Sequence, residues 1–135
     1  MNTALTLPDV ARFRSNPEVV ALKARILEAR AEAERTRADV RAYLTPVVRA
    51  FGYDSMDAFD ADYDPDPAIY TAFDAAHRAR GYDLPEGHCP ALVAENKLLK
   101  LETEGARCIA ALLGIDAGRL YGEMRERAIH LFMEA

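Results

Sequence analysis

Apolar residues spaced three and four apart are the feature that most constrains the fold of this chain. They recur over residues 19–47 and over residues 91–112, and no stretch alternates apolar and polar residues long enough to make a strand. The first series is Val19, Leu22, Ile26, Ala29, Ala33, Thr36, Val40, Tyr43 and Val47, and the second is Ala91, Ala94, Leu98, Leu101, Gly105, Cys108 and Leu112. Such spacing is typical of the heptad seam of a coiled coil. The pattern predicts an all-α fold, a helical bundle or hairpin with two long heptad-patterned helices, a short middle helix and a C-terminal helix.

Start and stop signals give the expected helix bounds. A long helix of mixed charge is predicted over 17–51, where Ser15 or Asn16 can cap the first turn. Pro46 lacks an N–H and disfavours helix at the residue before it, so we expect a kink or break before Pro46. Further helices are predicted over 67–80, 90–113 and 116–134, the last capped by Asp116, with one helical turn near residues 55–61.

Length and composition favour one intracellular domain. The 135 residues are enough to bury a core without disulfides, and we expect a single helical domain over 1–135. Cys89 and Cys108 are predicted to be reduced thiols of a cytoplasmic protein. Charged residues interrupt the start of the chain, so we expect no signal peptide, and no apolar run is long enough to suggest a membrane partner.

The middle of the chain is both acidic and aromatic. Between Arg49 and Arg78 there is no lysine or arginine, but there are seven aspartates and six of the eleven aromatic residues. We call residues 50–77 the acidic aromatic segment; its first part, 52–66, is expected to be a connector whose tyrosines anchor it. The carboxylates can complement the basic first third of the chain internally or contact a partner. The predicted partner-binding residues are Asp57, Asp60, Asp62, Tyr63 and Asp64.

A calcium loop is not expected within this connector. Asp60, Asp62 and Asp64 occupy the first, third and fifth positions of an EF-hand pattern. The pattern then needs glycine at the sixth position and glutamate at the twelfth, where this chain has Pro65 and Thr71. We predict no cofactor.

A second constellation offers metal-binding side chains in the second half of the chain. The candidates are His77, His88, Glu95 and Glu102. No pair of histidines has helical spacing, and there is no paired C-x-x-C motif. Cys89 follows His88, but no oxyanion element or orienting acid accompanies it, so we lean against an enzyme.

Arginines decorate the first long helix, and they raise the possibility of nucleic-acid binding. Glutamates alternate with them, and Arg35 and Asp39 are spaced to pair across one turn. A mixed-charge exterior is typical of a solvated helix, so nucleic acid is not the expected partner.

The sequence therefore predicts a small non-enzymatic interaction or assembly protein. We expect it to contact a protein partner through an acidic aromatic surface and to form homo-oligomers through the heptad seam. The two seams can pair with each other or across a dimer interface. The alternative is a helical-bundle metal-binding protein or enzyme that uses His88, Glu95 and Glu102.

Overall fold

The computed structural model describes residues 9–135, and every regular element in that range is helical. The α-helices are α1 (Pro17–Ala50), α2 (Met56–Asp60), α3 (Ala68–Ala79), α4 (Pro90–Leu112) and α5 (Gly122–Glu134). Short 3-10 turns occupy Ala11–Phe13 and Ala117–Arg119. The predicted all-α fold is confirmed, and no helix within the described range is long and apolar enough to cross a membrane. The expectation about a signal peptide concerns residues 1–8 and lies outside the described residues.

Side-chain capping explains the starts of α1 and α2, and a local hydrogen bond precedes α3. The Asn16 side chain accepts hydrogen bonds from the N–H groups of Glu18 and Val19, at 2.9 and 3.3 Å, and so caps α1 as predicted. The single turn predicted near residues 55–61 is α2, which Ser55 caps by accepting from the N–H of Ala58 at 3.1 Å. Asp66 accepts from the N–H of Ala68 at the start of α3.

The predicted break near Pro46 is wrong, because α1 continues through it from Pro17 to Ala50. Proline inside a helix costs about 3 kcal/mol, since it removes one hydrogen bond and crowds the preceding turn. Leu44 and Val48 lie on either side of Pro46, and both side chains are buried in a core. Burial of each stabilises the helix by about 1.5–3 kcal/mol, so packing outweighs the defect.

The predicted start of the C-terminal helix at residue 116 is also wrong. Asp116 accepts a hydrogen bond from the N–H of Gly118 at 2.9 Å, but it caps only the 3-10 turn. The chain leaves helical geometry at Leu120, and α5 begins at Gly122. Asp116 therefore caps a short turn in the connection before α5 and not α5 itself.

The described residues fall into two compact units. Unit 1 contains the described residues up to Arg30 together with Lys97–Ala135, and unit 2 contains Ala31–Asn96. Each unit has its own hydrophobic core. The single domain expected over 1–135 stays a prediction.

The core of unit 1 joins both heptad seams within one chain. Ile26, Ile109 and Phe132 are its most deeply buried large side chains, and Leu22 and Leu101 pack in the same cluster. A Cβ atom at position 105 would lie 2.8 Å from Cδ1 of Phe132 and 3.0 Å from Cδ1 of Ile26. Both distances are shorter than ordinary van der Waals contact, so glycine allows the close packing that its place in the seam predicted.

The core of unit 2 is built around Val40, Leu44 and Val48 of α1 and Ile69 and Phe73 of α3. The buried positions of α1 step by four here, whereas the heptad pattern predicted Val40, Tyr43 and Val47. The last two are only half-buried. A straight helix drifts by about 20° per heptad from a 3.5-residue repeat, which moves the buried face towards Leu44 and Val48.

Candidate functional site

Aromatic rings hold the connector, residues 52–66, against α3 within unit 2. The ring of Phe59 packs edge-on against Tyr53 and Phe73, with centroids 5.4 and 5.2 Å apart. Tyr70 joins the same group, at 6.3 Å from Phe59 and 6.0 Å from Phe73. Edge-to-face pairs at these distances are favourable beyond the area they bury. The connector is therefore fixed by its own aromatic side chains.

Two of the predicted partner-binding aspartates face an arginine of the same unit. The Arg41 guanidinium lies 2.8 Å from an oxygen of Asp57 and 3.8 Å from an oxygen of Asp60. Both carboxylates remain open to solvent, with side-chain exposures of 86% and 57%. Exposed ion pairs contribute only about 0–1 kcal/mol, so these aspartates are partly neutralised and still accessible. Internal charge complementarity accounts for part of the acidic cluster.

Asp62 has a structural role in the connector. It accepts a hydrogen bond from the Tyr53 hydroxyl at 2.5 Å and another from the N–H of Asp64 at 3.0 Å. The bond from Tyr53 lowers the pKa of the Asp62 carboxyl and raises the pKa of Tyr53 to about 12. Tyr53 therefore anchors the connector, as predicted for its tyrosines.

Tyr63 behaves in the opposite way, because its side chain is fully exposed. The expectation that it anchors the connector is wrong. Asp64 is exposed beside it, and its carboxylate has no ion-pair partner among the described residues. The backbone around the two is held by Asp62 on one side and by the Asp66 cap of α3 on the other. An exposed ring thus lies between aspartates on a hydrogen-bonded loop.

The metal candidates are placed in different surroundings. His77 is buried, His88 is exposed and Glu95 is half-buried, all in unit 2. Glu102 belongs to unit 1, where its carboxylate lies 2.9 Å from the Arg30 guanidinium. Within residues 9–135 no three His, Cys, Asp or Glu side chains are grouped so that they could hold an ion. The four candidates do not form such a group.

His77 instead takes part in a hydrogen bond that the sequence did not indicate. The Tyr43 hydroxyl lies 2.5 Å from Nδ1 of His77, and the two rings pack edge-on at 5.5 Å. Burial lowers the pKa of His77, although the nearby Asp74 opposes the effect. Burial also raises the pKa of Tyr43. Both groups are therefore neutral near pH 7, and the hydroxyl can donate to Nδ1 in the tautomer whose proton is on Nε2.

A second polar contact fastens the same end of α3 to α1. Arg80 donates to both oxygens of Asp39, from Nε at 3.0 and 3.1 Å and from Nη2 at 2.6 Å. The Tyr82 hydroxyl donates to the same carboxylate at 2.9 Å. The hydrogen bonds from Arg80 and Tyr82 lower the pKa of Asp39. The ion pair expected between Arg35 and Asp39 is wrong, because Asp39 is engaged across the unit rather than along its own helix.

The turn after α3 directs these groups towards α1. Gly81 adopts a positive φ of 104°, and the N–H of Tyr82 returns to the carbonyl of His77 at 3.0 Å. The chain therefore reverses just after Arg80, with Tyr82 close to the helix it has left. Gly81 was readable as a helix stop, but its role in positioning Tyr82 depends on a partner 43 residues earlier in the chain.

Comparison with models of protein families, with curated proteins and with solved structures finds no match for this chain.

Proposed function

We propose that this chain is a protein-interaction module whose Tyr63 loop, residues 61–67, binds a positively charged segment of a protein partner. The observation that carries the proposal is the fully exposed ring of Tyr63 on a loop whose backbone is held by hydrogen bonds on both sides of it. A large aromatic side chain left in water loses the stabilisation of burial. Contact with a partner would recover it.

The chemistry around Tyr63 favours a cationic partner. An arginine or lysine over an exposed aromatic ring contributes about 0.5–1 kcal/mol, and neighbouring carboxylates add charge attraction. No lysine or arginine lies between Arg49 and Arg78, so the acidic aromatic segment presents no cation of its own to repel such a partner. Its backbone is also held in place, which reduces the entropy lost on binding.

The five predicted contact residues are unequal in this proposal. Asp57 and Asp60 share Arg41, and Asp62 is engaged by Tyr53, so their charges are partly compensated. Tyr63 and Asp64 are the residues expected to contribute most to affinity. The exposed carboxylates of Asp57 and Asp60 act mainly by steering the partner over a Debye length of about 8 Å.

The direct test measures binding of a synthetic arginine-rich peptide to the purified chain by titration calorimetry. Tyr63→Ala keeps the charge of the protein, and we expect it to weaken binding about 2- to 5-fold. Tyr121→Ala is the matched control, because Tyr121 is also exposed but belongs to unit 1. Equal affinities of the wild type and the Tyr63→Ala variant would show that the peptide senses only net charge, and the proposal would fail.

A second measurement separates a foreign partner from a second copy of this chain. Light scattering over a dilution series distinguishes the 15.0 kDa monomer from larger species. Self-association that Tyr63→Ala abolishes would make the partner a second copy, whose residues 1–49 carry nine basic and six acidic side chains. A constant monomer mass would leave the peptide titration as the deciding result. The homo-oligomer predicted from the heptad seam would then be wrong.

A further inference from the structure

One buried histidine stands apart from the rest of the molecule. His77 is the single buried polar or charged side chain among residues 9–135, with 5% of its surface exposed. It continues the buried stripe of α3 formed by Ile69 and Phe73 at four-residue spacing. An apolar residue at this position would extend the core, so the histidine needs a reason of its own.

The polar groups around the His77–Tyr43 contact include two acids that have partners of their own. Asp74 of α3 lies near His77, and the groups near Tyr43 are Asp39 of α1 and, between α3 and α4, Arg80, Tyr82 and Cys89. Asp39 is held by Arg80 and Tyr82. Asp74 accepts the N–H of Gly87, at 3.2 and 3.3 Å from its two oxygens. Asp74 keeps its negative charge and partly favours an imidazolium, but burial of His77 is the larger effect and favours the neutral ring.

Protonation of His77 conflicts with this arrangement for two reasons. Where Nδ1 accepts from the Tyr43 hydroxyl 2.5 Å away, a proton on Nδ1 would oblige that hydroxyl to turn and accept instead, so its own proton would lose the ring nitrogen as an acceptor. The positive charge would also be created on a side chain that is only 5% exposed, where the loss of hydration disfavours the charged form. The closed arrangement therefore favours neutral histidine.

We propose that the His77–Tyr43 contact makes unit 2 acid-sensitive, so that mild acid releases the C-terminal end of α3 and residues 80–89 from α1. The released segment includes Arg80 and Tyr82, which hold Asp39, and Gly87, which binds Asp74. The core contacts of Ile69 and Phe73 remain, because they involve no titratable group. The device is a local opening and does not depend on the function proposed for the Tyr63 loop.

The pH range follows from the ordinary value of the histidine. Burial lowers the pKa of His77 below 6.5 in the closed form, whereas an opened histidine titrates near 6.5. The open form therefore gains protons first, and closure weakens as the pH falls from 6.5 to the pKa of the closed form. For a histidine that stays neutral when closed, the opening equilibrium rises at most about 30-fold between pH 7.5 and 5.0. Asp39 titrates below its ordinary 3.8 and does not contribute in this range.

Hydrogen exchange measured by mass spectrometry at pH 7.5 and 5.0, corrected for intrinsic exchange rates, tests the device in the full chain. We expect amides of residues 77–89 to lose protection about 10- to 30-fold at pH 5.0, while α5 changes less than about 3-fold. His77→Gln retains a hydrogen-bond acceptor but cannot be protonated, so it should abolish the change. His88→Gln is the matched control, since His88 is exposed in the same unit and should leave the change intact.

Loss of protection that persists in His77→Gln, or that disappears in His88→Gln, would overturn the proposal. NMR titration of the wild-type imidazoles supplies a second measurement if the His77→Gln chain does not fold. The His77 resonance is expected to titrate below the ordinary histidine value of 6.5, together with amides of residues 77–89. A His77 ring that titrates with those amides unchanged would equally overturn it.

Discussion

Unit 1 and unit 2 use successive stretches of the same two long helices, yet their cores differ in chemistry. Every buried side chain of unit 1 is apolar, and Ile26, Ile109 and Phe132 meet around a glycine. Unit 2 combines a smaller apolar cluster with edge-on aromatic rings and a buried histidine. The stability of unit 1 therefore depends on close packing of apolar side chains. The stability of unit 2 depends also on hydrogen bonds between polar groups.

The two units also differ in their proposed roles. The residues proposed to act, the exposed Tyr63 and the buried His77, both belong to unit 2. Hydrogen-bonded polar contacts can be opened or redirected at small energetic cost, whereas a close-packed apolar core resists such change.

The largest effect is expected from Phe132→Ala, which breaks the packing of unit 1. Phe132 is fully buried, and truncation of a buried phenylalanine costs about 3–5 kcal/mol through lost transfer energy and the cavity that remains. We expect the free energy of unfolding to fall by about 4 kcal/mol, as measured by urea denaturation. Phe51→Ala, at an exposed position of unit 2, should cost less than about 1 kcal/mol. Similar losses in the free energy of unfolding at both positions would contradict the view that close apolar packing stabilises unit 1.

Pro46→Ala should have the opposite effect and stabilise unit 2. Alanine restores an N–H that can donate to the Ala42 carbonyl four residues earlier, and it removes the clash of the ring with that turn. We expect the free energy of unfolding to rise by about 2 kcal/mol. Part of the benefit is offset because the unfolded chain is more flexible without the proline. Pro17→Ala is the control, because proline loses no helical hydrogen bond at the first position of α1. Equal effects in thermal unfolding of the two variants would refute the explanation.

A smaller effect is expected from Tyr43→Phe, which tests the polar contact alone. The change removes the hydroxyl that is hydrogen-bonded to Nδ1 of His77 and leaves that buried nitrogen without its partner. We expect a loss of about 1.5 kcal/mol in urea denaturation at pH 7.5. Tyr70→Phe removes an exposed hydroxyl and should change stability by less than about 0.5 kcal/mol. If the two variants were equally stable, the buried hydroxyl would have no special role.

Local signals made most of the helices predictable. Asn16 and Ser55 cap the helices that follow them, and their preference for this position depends only on the next three residues. Position 116 shows the limit of such signals. A capping aspartate starts any short turn as readily as a helix, and only the geometry at Leu120 decides between them.

Non-local pairing is the part that could not be predicted. Tyr43 and His77 are 34 residues apart, and Asp39 and Arg80 are 41 apart, so no spacing rule connects them. The acidic aromatic segment was recognisable from composition, but its division into engaged and exposed residues was not. Asp62 and Tyr63 are neighbours in sequence with opposite surroundings, because Tyr53 reaches only one of them.

The glycine at position 105 has a consequence for how this chain can vary. Any side chain there would meet Phe132 and Ile26, so the three positions share one fixed volume. A descendant of this sequence can enlarge residue 105 only when residue 132 or 26 becomes smaller in the same lineage. Substitutions at the three positions are therefore expected to be coupled. A designer who enlarges residue 105 must make residue 132 or 26 smaller.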